Sequence, residues 1–362
     1  MQSTIVNITL TGSSYPIIIN DSCFDLTSVK EILRGRKVAL ISNDKVTPLY
    51  LEGVSKELSK YCSGVFPHIL ADGEEYKNLD SWRGILDFLA EKNFNRSDLL
   101  VSLGGGVVCD ITGFAAASWM RGVDFIQIPT SLLAQVDASV GGKTGINHPK
   151  GKNLIGAFHQ PKAVIINTAT LKTLPSREFK SGLGETVKYA FINQPKFKKW
   201  LEENSDRINQ QDLSTLTEMI AQCCQFKTEI VQQDEKELGV RALLNLGHTF
   251  AHAIETFTKY KEYTHGEAVA IGIAMAAELS VIMEKSNQRL IDDVRALMAK
   301  FELQDTIPKS INPEKLVELM RLDKKVKGNT HRLILMKDIG ESYIQTNVCE
   351  KDILQAIENC QS

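Results

Sequence analysis

At 362 residues, with 43% hydrophobic and 24% charged side chains, the chain has material for one large globular domain or two ordinary ones, each with its own core. The 42 basic and 44 acidic residues nearly cancel, giving a formal net charge of −2. That balance excludes a disordered polyelectrolyte and a broad polyanion-binding surface, so nucleic acid is not an expected partner.

The seven cysteines, Cys23, Cys62, Cys109, Cys223, Cys224, Cys349 and Cys360, are scattered and never form C-x-x-C. Reduced thiols in a cytosolic, cytoplasmic protein account for them. The N-terminus lacks the basic and apolar regions of a signal peptide, so export is not expected.

In chain order, Lys37–Ile41, Leu99–Leu103, Phe125–Ile128 and Ala163–Ile166 are short apolar runs separated by helical patterns. They predict strands buried on both faces, hence a parallel sheet covered by helices. Gly104-Gly105-Gly106 follows the second run and opens a helical pattern. Such a turn suits either a tight structural bend or a pyrophosphate at a helix N-terminus, although it is not G-x-G-x-x-G.

The block from Pro129 to Asn147, followed by Gly151-Lys152-Asn153, concentrates hydroxyls, a carboxylate, glycines and lysines. Lys143 and Lys152 are candidate phosphate contacts there, with solvated surface lysines as the alternative. After about Pro175 helical periodicity dominates, and only Arg332–Met336 reads as a late strand. The expected division is therefore an α/β, Rossmann-like parallel-sheet domain at 1–178 and a mainly α-helical domain at 179–362. The apolar segment Val269–Met283 is interrupted by Glu278 and too short to span a bilayer, so a buried helix is expected and a membrane is not.

His248 and His252 are four apart in a helical stretch and share a face; His265 follows, and Glu185 stands alone upstream. Two imidazoles and a carboxylate form a common ligand set for a catalytic zinc. One of the paired histidines only orienting a neighbour is the other reading. No H-E-x-x-H is present, which disfavours a zincin-type protease.

The 104–114 and 129–153 blocks, Gly182-Leu183-Gly184-Glu185, the 241–250 stretch, His265-Gly266-Glu267-Ala268-Val269 and Asp323-Lys324-Lys325 together resemble the 3-dehydroquinate synthase family in order along essentially the whole chain. The resemblance implies a homodimeric cytosolic enzyme of the shikimate pathway. Such an enzyme converts 3-deoxy-D-arabino-heptulosonate 7-phosphate, a phosphorylated sugar acid, to 3-dehydroquinate and phosphate, using NAD catalytically with zinc or cobalt. It also implies a dehydroquinate synthase-like fold.

Carried over by position, the resemblance makes Glu185, His248 and His265 the metal ligands and His252 a proton-handling or orienting histidine. Asp137, Lys143, Lys188, Glu237 and Asn245 join His252 as catalytic candidates. Arg241 and Lys227 suit the substrate carboxylate, and Lys152, Asn153 and Lys324 its phosphate. Arg121 is expected to reach that phosphate from a partner subunit.

For NAD, the resemblance implies Gly105, Gly106, Val107 and Asp110 at the pyrophosphate and nicotinamide end. Thr130, Ser131, Asp137, Lys143 and Lys152 lie alongside, with Glu74 and Lys77. Thr173, Leu174 and Glu178 would flank the adenine, and Asn43 or Asp44 the ribose. Departures from the family pattern at Ala138, Ser181, Gly184 and Ala251 exchange small residues for small ones. The rival readings are a related sugar phosphate cyclase, whose substrate lacks the carboxylate, and a metal-dependent alcohol or glycerol dehydrogenase, which accumulates NADH.

Overall fold

Runs such as Val38-Ala39-Leu40-Ile41 send alternate side chains to opposite faces of a strand, so a sheet containing them needs apolar cover on both sides. The computed structural model, which describes residues 3–22, 24–321 and 331–362, has that cover. Cys23 and Lys324 lie outside the described residues.

The elements begin with β1 (Thr4–Leu10), β2 (Ser13–Asn20), α1 (Lys30–Leu33), β3 (Lys37–Asn43), α2 (Glu52–Leu58), β4 (Gly64–Leu70) and α3 (Leu79–Glu91). Next come β5 (Leu99–Gly104), α4 (Gly106–Ser118), β6 (Asp124–Pro129), β7 (Lys143–His148), β8 (Gly151–Phe158) and β9 (Ala163–Asn167). The helices α5 (Ser176–Ile192), α6 (Pro195–Asn209), α7 (Leu213–Gln233), α8 (His248–Phe257), α9 (His265–Ile282), α10 (Gln288–Lys300) and α11 (Pro313–Arg321) follow. A hairpin, β10 (His331–Asp338) and β11 (Glu341–Val348), and α12 (Glu350–Asn359) complete the described chain.

The chain forms two compact units. The first runs to Leu174 and takes in Leu213–Lys236; the second holds Pro175–Asp212 and Glu237–Ser362. A single boundary at residue 178 therefore does not describe the chain. Helix α7 packs on β1 and β2, and buries Leu216, Met219, Ile220 and Cys223 in the first unit. Its helical pattern reads correctly in the sequence, but a pattern does not say whose core it joins.

In the first unit the sheet order is β1-β2-β9-β6-β5-β3-β4, parallel throughout except for β1, which pairs antiparallel with β2. Val38, Leu40, Val101 and Leu103 meet Leu33, Val54 and Leu58 on one face. Ala39, Ile41 and Leu100 meet Ile85, Leu89 and Ile111 on the other. The four expected strands are β3, β5, β6 and β9. From β3 the chain steps outward to β4, then returns past β3 to β5 and moves the other way, so the connection reverses between β3 and β5. Ligands in open α/β sheets bind outside the carboxyl ends of strands at such a reversal.

The second unit is built around α9, which contacts α5, α8, α10, α12 and β10. The helix begins at His265, where the sequence places the start of the long apolar helix. Its 18 residues have the length and mean hydropathy (1.4) of a membrane span, yet 78% of the segment is buried within the structure. Glu278, inside it, is matched by Arg295 Nη2 at 2.9 Å and Asn359 Nδ2 at 3.0 Å. The helix thus serves as the core of its unit, apolar all round because it is covered all round.

Candidate metal centre and nucleotide-binding turn

Glycines set how closely the second unit's helices approach. A Cβ on Gly266 would stand 1.7 Å from Ser181 O, and one on Gly184 2.2 Å from Gly266 O, so α9 meets α5 backbone to backbone. A Cβ on Gly272 would lie 2.1 Å from the carbonyl oxygen of Gly247, which caps α8 at φ +78°. These two crossings bring Glu185, next to Gly184, and His248, next to Gly247, to the start of α9, where His265 is the first helical residue.

That start is firmly held. Thr264 and Glu267 form a capping box, with Glu267 Oε2 accepting the Thr264 N–H at 2.7 Å. Arg177 from α5 grips the same carboxylate with two bonds of 2.9 and 2.8 Å. Ser181 Oγ accepts the Gly266 N–H at 3.1 Å, satisfying one of the donors that a helix N-terminus leaves without an intrahelical partner.

Glu185, His248 and His265 offer one donor atom each, all within 4.8 Å of one another. Glu185 Oε1 stands 3.4 Å from His248 Nε2 and 3.2 Å from His265 Nε2. The Glu185 carboxylate is fully buried, and its oxygens, although ion-paired with Lys188 Nζ, accept no hydrogen bond of good geometry. The other imidazole nitrogens are engaged: His248 Nδ1 donates to Leu246 O at 3.2 Å, and His265 Nδ1 lies 3.3 Å from Glu255 Oε1. In the neutral rings Nδ1 carries the proton and Nε2 the lone pair, so this donor set fits a divalent metal once His265 has lost its second proton.

Protonation differs across the trio. Burial lowers His248 to about 4, against the pull of Glu185, so it is neutral at pH 7. Burial also opposes charge on His265, but Glu255 and Glu185 outweigh it and raise its pKa to about 9. Although burial works against its charge, Lys188 and the imidazoles hold Glu185 well below the usual carboxylate range. A metal must therefore displace a proton from His265 and none from the other two. Zinc affinity is accordingly expected to rise with pH by about tenfold per unit up to about pH 9. Titration at several pH values checks this, and a flat profile would contradict it.

His252 also belongs to this cluster, its ring centroid 5.7 Å from that of His248 and 6.3 Å from that of His265. Arg241, only 1% exposed, sits in a short 3-10 turn, Val240–Asn245. Asn245 Nδ2 donates to Glu237 Oε1 and, at 3.2 Å, to Ala242 O; Glu237 is held at φ +58°.

In the first unit Gly105 caps α4 immediately after β5, with Gly106 as the first helical residue and no acidic side chain in the first turn. A Cβ on Gly105 would lie 3.3 Å from Ser131 Oγ, and one on Gly106 3.5 Å from Ala138 Cβ, so side chains here would fill the approach to the helix N-terminus. The Thr130 N–H donates to Gly104 O at 2.9 Å, tying the ends of β5 and β6. Val107 is half-buried in the same turn of α4. The turn fits a pyrophosphate.

Behind the turn Lys77 Nζ joins Asp110 Oδ2 to Asn153 Oδ1, the latter at 2.7 Å. Burial raises the Asp110 carboxyl, and Lys77 opposes that rise. Glu74 Oε1 accepts from Asn147 Nδ2 at 2.8 Å and lies 3.7 Å from Lys152 Nζ. Asn147 Oδ1 in turn accepts the Asn153 N–H at 2.9 Å, with Asn153 at φ +51°. Lys227 Nζ, from α7, donates to Asp137 O at 2.6 Å and Asp137 Oδ1 at 2.8 Å.

At the end of β3, Asn43 is buried and donates to Asp72 Oδ1 at 2.6 Å, while Asp44 is exposed beside it. Thr173 pairs with Tyr50 and is exposed, as is Lys143; Leu174 is half-buried. Glu178 lies on the exposed first turn of α5, in the second unit rather than with Thr173 and Leu174. Arg121 is exposed in a left-handed turn with Met120, at φ +66° and +47°.

Glu255 is a site neighbour outside every motif of the sequence, and Asn147, at the end of the Pro129–Asn147 block, has a partner there that the sequence does not point to. Glu255 had a signal, seven residues after His248 on the same helical face. The pairing of Asn147 with Glu74 has none, because the two are 73 residues apart.

Comparisons with known proteins agree over the whole chain. Residues 67–181 match the family model for the 3-dehydroquinate synthase N-terminal region, and residues 182–326 that for the C-terminal region. A 3-dehydroquinate synthase of Nitrosospira multiformis is 46% identical, covering 99% of each chain. Among solved structures, 2-deoxy-scyllo-inosose synthase complexed with carbaglucose-6-phosphate, NAD+ and Co2+ superposes with a TM-score of 0.90 at 24% identity, covering 99% of this chain and 100% of that one. The 2-epi-5-epi-valiolone synthase of Streptomyces hygroscopicus subsp. jinggangensis, with NAD+ and Zn2+, gives 0.88 at 24% identity, covering 97% and 98%. At that identity the two structures attest the fold alone.

Proposed function

The chain belongs to the 3-dehydroquinate synthase family, and we propose from that premise that it converts 3-deoxy-D-arabino-heptulosonate 7-phosphate to 3-dehydroquinate and inorganic phosphate. It is then a phosphate-eliminating cyclase, a carbon–oxygen lyase of the shikimate pathway, that uses NAD and a divalent metal such as zinc or cobalt without net redox change. The convergence of Glu185, His248 and His265 on one point carries this reading.

When bound, the metal supplies Lewis acidity toward a substrate hydroxyl and NAD supplies reversible hydride acceptance. Glu185, His248 and His265 hold the metal. The Gly105-Gly106-Val107 turn, with Thr130 and Ser131, holds the pyrophosphate region of NAD, and Glu74, Lys77, Asp110, Lys143 and Lys152 frame its neighbourhood. Asn43 or Asp44 meets the ribose, while Thr173 and Leu174 flank the adenine. Glu178, on its exposed turn, supports an adenine contact least.

His252 takes or returns the proton of the hydroxyl being oxidised, and Lys188 balances the charge of Glu185 next to it. Arg241 receives the substrate carboxylate in a bidentate pair, with Lys227 contributing a point charge fixed by Asp137. Glu237 and Asn245, joined to each other, orient substrate hydroxyls. Asn153 and Lys152 hold the phosphate, together with Lys324. Holding the opened sugar acid by both ends in one pose favours intramolecular ring closure.

Phosphate release read beside NADH absorbance tests the proposal. With the heptulosonate phosphate, catalytic NAD and added zinc or cobalt, phosphate appears and NADH does not accumulate. Steady NADH accumulation would instead make the protein a dehydrogenase.

Arg241→Ala is expected to raise KM for the substrate about 10–100-fold, the worth of a charged hydrogen-bonded pair, while NAD affinity is preserved. Equal loss of NAD affinity in a direct titration would remove Arg241 from the carboxylate site.

The protein acts as a homodimer in the cytoplasm, with Arg121 reaching a partner's substrate phosphate. The exposure of Arg121 in a fixed turn supports the first point. The second is supported by the thiols of Cys109, Cys224 and Cys360, which burial pushes up to about 12. Light scattering giving a monomeric mass would exclude the dimer.

A further inference from the structure

On α8, His248, His252 and Glu255 follow one another at spacings of four and three, which places all three on one helical face. Glu255 is 2% exposed, and its Oε1 lies 3.3 Å from His265 Nδ1. Its backbone is fixed as well. The Glu255 carbonyl accepts the Tyr260 N–H at 2.8 Å, and Lys259 and Tyr260 wrap the end of α8 in left-handed conformations. The carboxylate therefore projects from a pinned helix end toward the back of one imidazole.

We propose that Glu255 is a positioning residue for the metal centre: by accepting the His265 Nδ1 proton, it fixes the tautomer and ring orientation that present Nε2 beside Glu185. This inference rests on the metal reading given above.

The two histidines are backed by different groups, and that difference has chemical content. His248 Nδ1 faces a neutral carbonyl, Leu246 O, whereas His265 Nδ1 faces a carboxylate. A carboxylate behind an imidazole raises its basicity and restrains its ring more strongly than a carbonyl does. His265 becomes the stronger nitrogen donor of the pair. It also has more need of restraint, since its side chain is 28% exposed against 11% for His248.

Two variants of the full-length protein separate this role from plain packing. Glu255→Leu fills the volume with an apolar group and removes the acceptor; Glu255→Gln keeps an acceptor oxygen at the same reach. Each is depleted with a chelator and titrated with zinc against a chromophoric competitor, then loaded with cobalt for its visible spectrum. Glu255→Leu is expected to lose about 10–100-fold in zinc affinity, with a changed cobalt spectrum, and Glu255→Gln to recover most of both.

Wild-type affinity and spectrum in Glu255→Leu would overturn the inference, as would equal impairment of the two variants. If Glu255→Leu does not fold, a Glu255→Gln protein with wild-type stability and the leucine-type loss of zinc would overturn it as well. Wild-type protein that binds no metal in the same titration would remove the underlying metal reading, a failure visible separately from the others.

Discussion

Glu185→Gln is expected to yield a folded protein that retains almost no metal and turns over more slowly by about a thousandfold or more, equivalent to about 4 kcal/mol of lost transition-state stabilisation. The substitution keeps the shape of a side chain that has no room to change, since Glu185 is fully buried. It removes the charge that the trio relies on and leaves Lys188, only 1% exposed, beside a neutral amide. Breaking one side of a buried pair costs about 3–5 kcal/mol when the remaining charge finds no relief. Stability should therefore fall together with activity. Metal content by atomic emission, thermal midpoint and phosphate release on one preparation check all three; stoichiometric metal in the variant would take Glu185 out of the ligand set.

Gly266→Ala should do comparable harm without touching any donor atom. The added methyl would sit 1.7 Å from Ser181 O, and the carbonyl of Gly266 already crowds Gly184 from the other side. Backbone cannot rotate away as a side chain can, so α5 and α9 must part. The expected cost is about 3 kcal/mol, the upper end for overpacking. Because His265 and Glu185 adjoin these glycines in sequence, the parting also separates two metal donors, and zinc affinity falls by at least about tenfold. Gly84→Ala provides the contrast. In α3 a Cβ at residue 84 meets nothing within 4 Å, so helix propensity alone acts and the protein gains about 0.5–1 kcal/mol. Equal thermal midpoints for the two variants would refute the close-crossing argument.

What could be read from the sequence depended on how local its cause was. The apolar runs of β3, β5, β6 and β9 identify themselves, because a strand covered on both faces has nowhere to place a polar residue. The strand β1 carries only the weaker signal of alternation, with Val6, Ile8 and Leu10 buried between exposed neighbours, and so does not stand out as an apolar run. The hairpin of β7 and β8 hid in a stretch whose glycines and lysines read as an anion-binding loop. For the metal trio, the spacing of His248 and His252 pointed to the helix face, but spacing alone left both as candidates. The structure puts His248 and His265 against Glu185, with His252 stacked behind. Joining Glu185 to histidines more than sixty positions away came from family resemblance, since the helix crossing that joins them is recorded only as small residues. The link from Lys77 to Asp110 and Asn153 left no trace in spacing at all.

The route of the chain between its two units bears on how the protein is made. The first unit is not complete at Leu174, because α7, which covers β1 and β2 and carries Lys227 to Asp137, is encoded after α5 and α6. A ribosome adding about 5–20 residues per second needs seconds to cross that interval. During that time the apolar ground under α7 has no cover from its own unit. The nascent sheet must wait for a helix that lies beyond two helices belonging elsewhere. How long that face stays bare during synthesis is thus set by the order of the segments rather than by the stability of the finished fold.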